Sequence, residues 1–166
     1  MTMNQDANTS EVALSSRFDS LEQQAYLNLW RTYDRLRGLE DELFNRYGLT
    51  AQQYNTLRIL AARNPDPLPT LTIATKLISR APDITRLLDR LAERNLITRK
   101  RPSGNRRTVL VSITQAGLDL LAELAEQVRE CHRRQLGHLS AEQLHQLIDL
   151  LSQARRPHED ATSTWR

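Results

Sequence analysis

Apolar residues recur at spacings of three, four and seven through most of the chain, a pattern that predicts a mainly helical protein. The first such stretch, 17–47, carries its apolar stripe on Leu29, Tyr33, Leu36, Leu43 and Tyr47. The later stretches predict helices at about 50–63, 71–78, 82–94, 114–136 and 141–155. Two segments, 96–100 and a β-branched run at about 107–113, instead predict the short strands of a hairpin.

Capping signals indicate where several of these helices begin and end. Thr50 and Ser140 are each followed three residues later by glutamine, which makes two capping boxes. Thr114 stands before the long helix that follows the hairpin, where a threonine caps the first turn. Gly48 and Asn95 stand where helix ends need a residue in the left-handed conformation. The predicted order is therefore long helix, helix, short helix, helix, hairpin, long helix, helix.

Length and composition fit one globular domain. Hydrophobic residues make up 39% of the 166 positions, and the apolar runs are too short to cross a bilayer. The N-terminus has no apolar segment typical of a secretory signal, and the single cysteine, Cys131, cannot form an intrachain disulfide, so a cytoplasmic location is expected. The polar segments 1–15 and 157–166 lack periodicity and predict disordered tails around a single domain at 17–156.

The net charge of +3 conceals an uneven distribution along the chain. Residues 70–113 carry ten Lys or Arg and three Asp or Glu, a net charge of +7, which leaves −4 on the remaining residues. This asymmetry indicates a surface that binds a polyanion, although a solvated basic surface explains the charge equally well. The same segment contains a short helix, a turn, a second helix and a basic hairpin, which are the parts of a winged helix-turn-helix. A helix fits the major groove of DNA and a basic hairpin tip fits the minor groove, so DNA binding explains both features.

Three motifs resemble successive signatures of the multiple antibiotic resistance regulator (MarR) family. In chain order they are LTAQQYNTLRIL, ITRLLDRLAERNLITR and NRRTVLVSITQAG. The resemblance covers about residues 25–150 and implies a mainly α fold. It implies a winged helix-turn-helix DNA-binding lobe at 50–113 with a two-stranded β wing, and a dimerisation lobe formed by the helices at 17–47 and 114–155. The implied function is a homodimeric, ligand-responsive repressor that binds double-stranded DNA at a pseudo-palindromic operator and takes a small aromatic or phenolic effector.

The resemblance places the DNA contacts on the helix at 82–94 and on the hairpin. Arg86 lies on the outward face of that helix and is expected at a base edge or phosphate; the alternative is an ion pair with Asp83 or Asp89. Asp83 can accept from a cytosine amino group or cap the helix, and the cap is favoured. Arg106 is expected in the minor groove, with Arg107 bracing the wing. The other candidate DNA contacts are Lys76, Arg80, Pro82, Thr85, Arg90, Arg99, Arg101 and Asn105.

The wing departs from the family pattern at one position. The family usually has aspartate where this chain has Asn105, so the charge-assisted pair with Arg107 is lost and a looser wing is expected. Asn95 replaces the family's usual glycine, and asparagine tolerates the same backbone conformation.

The aromatic residues suggest an effector site. Every aromatic residue except Trp165 lies between Phe18 and Tyr54, and packing in the core or dimer explains most of them. The sharper hypothesis is an apolar pocket with a few polar groups. Its candidate residues are Tyr26, Trp30 and Tyr33, with Arg37 or Arg58 to bind an anion.

Other chemistries have weaker support in the sequence. Three arginines near Cys131 could lower its thiol pKa, but the family's thiolate sensors carry their cysteine on the first helix, so a structural role is expected. The four histidines have no matching carboxylates or thiolates for a metal, and no nucleophile motif or phosphate loop is present, so neither a metal, another cofactor nor an enzyme is expected. The alternative function is a helical winged-fold protein-interaction module without DNA binding, which the intact basic residues of the helix and hairpin argue against.

Overall fold

A computed structural model of the chain describes residues 18–78, 83–102 and 108–159. In these ranges the elements are α1 Leu21–Asn45, α2 Ala51–Ala61, β1 Leu68–Pro69, α3 Thr70–Lys76, α4 Ile84–Glu93, β2 Ile97–Lys100, β3 Leu110–Ile113, α5 Gln115–Leu136 and α6 Ala141–Arg155. A single 3-10 turn, Arg156–His158, follows α6. Every helix and both strands predicted from the sequence are therefore confirmed. Residues 1–15 and 160–166 of the predicted tails lie outside the described residues.

The predicted capping signals are present in the structure. Both capping boxes form, because the Thr50 and Ser140 side chains accept from backbone N–H groups at the start of α2 and α6. The Thr114 hydroxyl accepts from the backbone N–H of Gly117 at 3.1 Å and so begins α5. Gly48 and Asn95 have φ angles of 62° and 56°, the left-handed conformation that was predicted for them. Short-range sequence signals thus determine where these helices begin and end.

The sheet has three strands, one more than the predicted hairpin. Its order is β1-β3-β2, and both pairings are antiparallel. The extra strand, β1, has only two residues and pairs Leu68 with Val111. Next to this pairing, the backbone N–H of Thr70 donates to the Val109 carbonyl at 3.1 Å, which ties the start of α3 to β3. We call the hairpin of β2 and β3 the wing.

The chain divides into two compact units, with the boundary between Leu39 and Glu40 inside α1. The described part of the first unit is a helix with large apolar side chains at its surface. Tyr26, Trp30 and Tyr33 are each about 60% exposed there. Leu29 and Tyr33, the first two residues of the apolar stripe predicted for α1, are 48% and 60% exposed, so this part of the stripe is not buried within the single chain.

The second unit contains the hydrophobic core. Leu57, Leu60, Leu88, Leu91 and Leu124, from α2, α4 and α5, are at most 1% exposed. Buried side chains from β1, β2 and β3 complete the core between these helices. No residue of α6 is buried. No helix among the described residues is long and apolar enough to span a membrane.

Candidate nucleic-acid interface

The amphipathic helix α4 has one face in the core and the opposite face at the surface. Leu87, Leu88 and Leu91 are buried, whereas Arg86 and Arg90 are exposed, as is Thr85 between them and the helix start. A spacing of three to four residues places the leucines on one side of the helix. The core therefore holds α4 in place while its basic side remains open to a ligand.

Asp83 caps α4, as predicted. Its Oδ1 accepts a hydrogen bond from the backbone N–H of Arg86 at 2.9 Å. Among the described residues, the Arg86 guanidinium makes no ion pair with either Asp83 or Asp89, which were the two alternatives for it. The exposed Arg86 side chain is therefore available at the surface of α4.

Asp89 instead pairs with Arg99, a residue of β2. The Arg99 Nη2 atom donates to Asp89 Oδ1, which joins the middle of α4 to the wing. Arg99 was predicted as a phosphate contact, but its guanidinium already has a carboxylate partner inside the protein. Lys100 and Arg101, the next two basic residues, are exposed.

A groove of about 780 Å³ lies between α4, the start of α3 and the wing. Thr85 and Leu88 of α4 line it, together with Thr70, Arg99 and Arg101. The structure thus brings together candidate residues that are up to 16 positions apart in the sequence. Lys76, the last residue of α3, is half-buried. The candidates Arg80, Pro82, Asn105, Arg106 and Arg107 lie outside the described residues.

Arg94 is a structural residue of this region that the sequence did not identify. Its guanidinium donates to the carbonyls of Gly48 at 2.7 Å and Tyr47 at 3.0 Å, and so joins the end of α4 to the α1–α2 loop. The left-handed Gly48 was the only local hint of an unusual loop, and nothing in the sequence points from Arg94 to a partner 46 residues away.

The proposed effector residues fall in both units. In the first unit, the Tyr26 and Trp30 rings lie 6.2 Å apart with their planes tilted by 49°. Trp30 also lines a surface groove there. Arg58 belongs to α2 in the second unit, beside Tyr54, whose ring stacks on Phe44 at 4.7 Å. Burial raises the pKa of Tyr54, and the nearby Arg58 charge opposes that shift.

Cys131 has the environment of a structural cysteine. The residue is only 6% exposed. Burial raises the pKa of its thiol, the negative charge of Glu40 adds to this shift, and Arg134 opposes it. The arginines therefore do not activate Cys131, because the other contributions outweigh them. Within the described ranges, no group of three histidine, cysteine or acidic side chains is arranged to hold a metal.

Comparison with known proteins matches this region to one family. The sequence model of the MarR family matches residues 49–109, which run from the start of α2 to the wing. The homoprotocatechuate degradative operon repressor of Escherichia coli is 29% identical over 111 residues, which cover 67% of this chain and 74% of that protein.

Solved structures show the same fold. The crystal structure of a MarR transcription factor from Planctomyces limnophilus is 57% identical in sequence, with a TM-score of 0.67; the match covers 81% of this chain and 97% of that one. A mutant MarR from Escherichia coli, solved in complex with operator DNA, has a TM-score of 0.70 and 20% identity over 82% of this chain and 99% of that one. At that level of identity the second likeness concerns the fold alone.

Proposed function

Because the chain belongs to the MarR family of DNA-binding transcriptional regulators, which are not enzymes, we propose that it is a homodimeric repressor acting on a pseudo-palindromic operator. The observation that carries the proposed DNA binding is the division of α4 into a buried leucine face and an exposed face with Arg86 and Arg90. A helix held in this way can enter the major groove without losing its place in the core.

The DNA contacts follow from this placement of α4, which we call the recognition helix. Arg86 reaches base edges, and Arg90 and Arg101 contact phosphates. Thr85, Lys76 and the capping residue Asp83 are further proposed contacts. The remaining proposed contacts lie outside the described residues; they are Arg80 and Pro82, which precede the helix in the sequence, and Asn105, Arg106 and Arg107, which lie between β2 and β3 in the sequence.

Two exposed apolar surfaces support a homodimer. On α1, Tyr26 and Trp30 are 61% and 60% exposed, and on α6, Ile148 and Leu150 are 58% and 64% exposed. Side chains of this size are usually buried, and a second copy of the chain can cover them. A two-fold dimer places two recognition helices about one turn of DNA apart, which is why we propose a pseudo-palindromic operator.

Repression and ligand response are supported by a relative rather than by the site. The Escherichia coli relative is a repressor of a homoprotocatechuate degradative operon. We propose that this chain also represses, and that a small aromatic or phenolic acid releases it from DNA. The tilted Tyr26 and Trp30 rings can pack against an aromatic ligand, with Tyr33 next along the helix, and Arg37 of the same helix can bind its carboxylate. Arg58, the other candidate for the carboxylate, belongs to the second unit.

Retention of fragmented genomic DNA from the source organism, followed by footprinting of the retained fragments, tests the proposed function. We expect protection of two related half-sites centred about 10 base pairs apart, and release of the DNA by an aromatic acid. Protection of one asymmetric half-site would contradict the dimeric mode of binding. A protein that retains no fragment would instead be an interaction module that keeps the winged fold.

A further inference from the structure

We infer that Asp89 and Arg99 form a positioning pair that fixes the wing against the recognition helix, and that Arg99 does not itself contact phosphate. This inference rests on the proposed DNA-binding function. It gives Asp89, an acidic residue on the recognition helix, a structural role. Neither residue needs to touch DNA for this role, because each acts through the placement of the basic residues beside it.

The pair joins two elements that DNA must engage together. Asp89 lies in the middle of α4, and Arg99 is the third residue of β2, so their hydrogen bond links the recognition helix directly to the wing. The Arg99 and Asp89 side chains are 32% and 42% exposed, so water only partly screens the pair. A guanidinium can hold a carboxylate in a defined orientation, which a more mobile lysine does less well.

The strand register explains why Arg99 meets Asp89. Arg99 pairs with Val111, and Ile97 pairs with Ile113. Cross-strand partners share a face of the sheet, and Val111 is fully buried, so Arg99 projects from the inner face. Lys100, the next residue, projects from the opposite face because strand side chains alternate. The wing therefore directs one basic residue towards α4 and the next away from it.

Charge alone does not explain an acidic residue at position 89. A carboxylate near a phosphate backbone weakens binding, so its removal should strengthen DNA binding if Asp89 acts only as a charge. If Asp89 positions the wing, its removal should weaken binding, since the wing's basic residues lose their fixed place. The two roles therefore predict opposite changes in DNA affinity when Asp89 is replaced by a neutral residue.

The variant Asp89→Asn tests whether operator affinity falls or rises, and Glu93→Gln is its matched control. Glu93 lies on the same helix, is exposed, and makes no ion pair with another described residue. Both substitutions remove one negative charge. We expect Asp89→Asn to weaken operator binding by up to about fivefold, the range of a partly exposed ion pair, and Glu93→Gln to leave it equal or tighter. Tighter binding by Asp89→Asn would overturn the inference.

The salt dependence of binding separates positioning from phosphate contact. Removal of a phosphate-binding charge lowers the slope of log affinity against log salt by about 0.9. We expect that change for Arg101→Gln, whereas Arg99→Gln should weaken binding with a nearly unchanged slope. A fall in slope for Arg99→Gln as large as that for Arg101→Gln would show that Arg99 is a phosphate contact and would overturn the inference.

The double variant Asp89→Arg with Arg99→Asp completes the test by exchanging the charges. Restored operator affinity, relative to either single charge reversal, supports a positioning pair, and continued weak binding contradicts it. Urea unfolding of every variant separates a misplaced wing from a destabilised fold. An unmodified protein that binds no DNA would contradict the proposed function itself, whereas binding with any other pattern among the variants would overturn the inference alone.

Discussion

The helices α4 and α6 are both amphipathic, yet only α4 buries its apolar face within the chain. In ten residues α4 buries Leu87, Leu88 and Leu91. In fifteen residues α6 buries none, and Ile148 and Leu150 are more than half exposed. The proposed recognition helix is thus held in the chain's own core, whereas α6 leaves an apolar surface exposed in the single chain.

The same contrast occurs within α1. Leu43 and Phe44, in the second unit, are each 3% exposed, whereas Trp30, in the first unit, is 60% exposed. The periodicity of the sequence is similar in both halves of the helix. Whether an apolar stripe is buried in the core or stays exposed therefore depends on which other elements fold beside it, and not on the stripe itself.

The largest expected difference is in the free energy of unfolding that is lost when one leucine is removed from α4 or from α6. Leu91 is completely buried, so Leu91→Ala should cost about 2–5 kcal/mol of stability. Leu150 is 64% exposed in the single chain, so Leu150→Ala should cost the monomer far less. Urea unfolding of both variants at a protein concentration low enough for the monomer to predominate measures the difference. Equal losses of stability would mean that Leu91 and Leu150 are equally well buried within the chain.

Ile148→Asp should break the proposed contact between copies. A carboxylate buried at an apolar interface has no partner, so we expect dimerisation to weaken at least about tenfold, with the fold retained. Gln146→Asp places the same charge on an exposed polar position of α6 and serves as the control. Sedimentation velocity across a dilution series distinguishes them. A dimer of undiminished affinity in the Ile148 variant would place the interface elsewhere.

The junction between the wing and α5 can be tested with one glycine. A Cβ atom at Gly117 would lie 2.4 Å from the Leu96 carbonyl oxygen and 2.7 Å from Ile113 Cγ1. Gly117→Ala should therefore cost about 1–3 kcal/mol, despite the better helix propensity of alanine. Gly38→Ala is the matched control, because nothing lies within 4 Å of its Cβ position, and it should be neutral or stabilising. Equal changes in melting temperature for the two variants would contradict the close packing at Gly117.

The smallest effect concerns the reactivity of Cys131. Its thiol is buried and its pKa is raised above the ordinary value, so it is protonated at pH 7 and becomes a thiolate only at higher pH than usual. Alkylation at pH 7 should be much slower in the folded protein than in urea, and should increase only as the pH rises towards the raised pKa. Fast alkylation of the folded protein would identify Cys131 as a reactive thiol after all.

Local sequence signals predicted most of the fold. The capping residues Thr50, Thr114 and Ser140 mark helix starts through contacts within three positions, which a sequence displays directly. The strand β1 was missed because its two residues, one of them proline, carry no alternating pattern and depend on β3 for their partner. Structure that depends on neighbouring residues can therefore be predicted from the sequence, whereas a strand that depends only on a distant partner cannot.

The candidate site was predicted less completely, for the same physical reason. The sequence places Arg86 on the outer face of a helix, and the structure agrees. It does not show that Arg99 meets Asp89 or that Arg94 meets Gly48, since both contacts require the register of the wing and the path of the α1–α2 loop. Charge composition indicated a basic surface but could not tell which cations face a ligand and which hold the protein together.

The affinity of the Arg86→Ala variant for the selected operator tests the role of α4 most directly. Arg129→Ala, which removes an exposed arginine from α5, is the control for charge. If the outer face of α4 reads DNA, Arg86→Ala should lose about 1–3 kcal/mol of binding free energy and relax base preference at defined half-site positions, with dimer and fold unchanged. Arg129→Ala should bind almost normally. Operator binding by Arg86→Ala equal to that of the unmodified protein, at low and moderate salt alike, would contradict the assignment of α4 as the recognition helix.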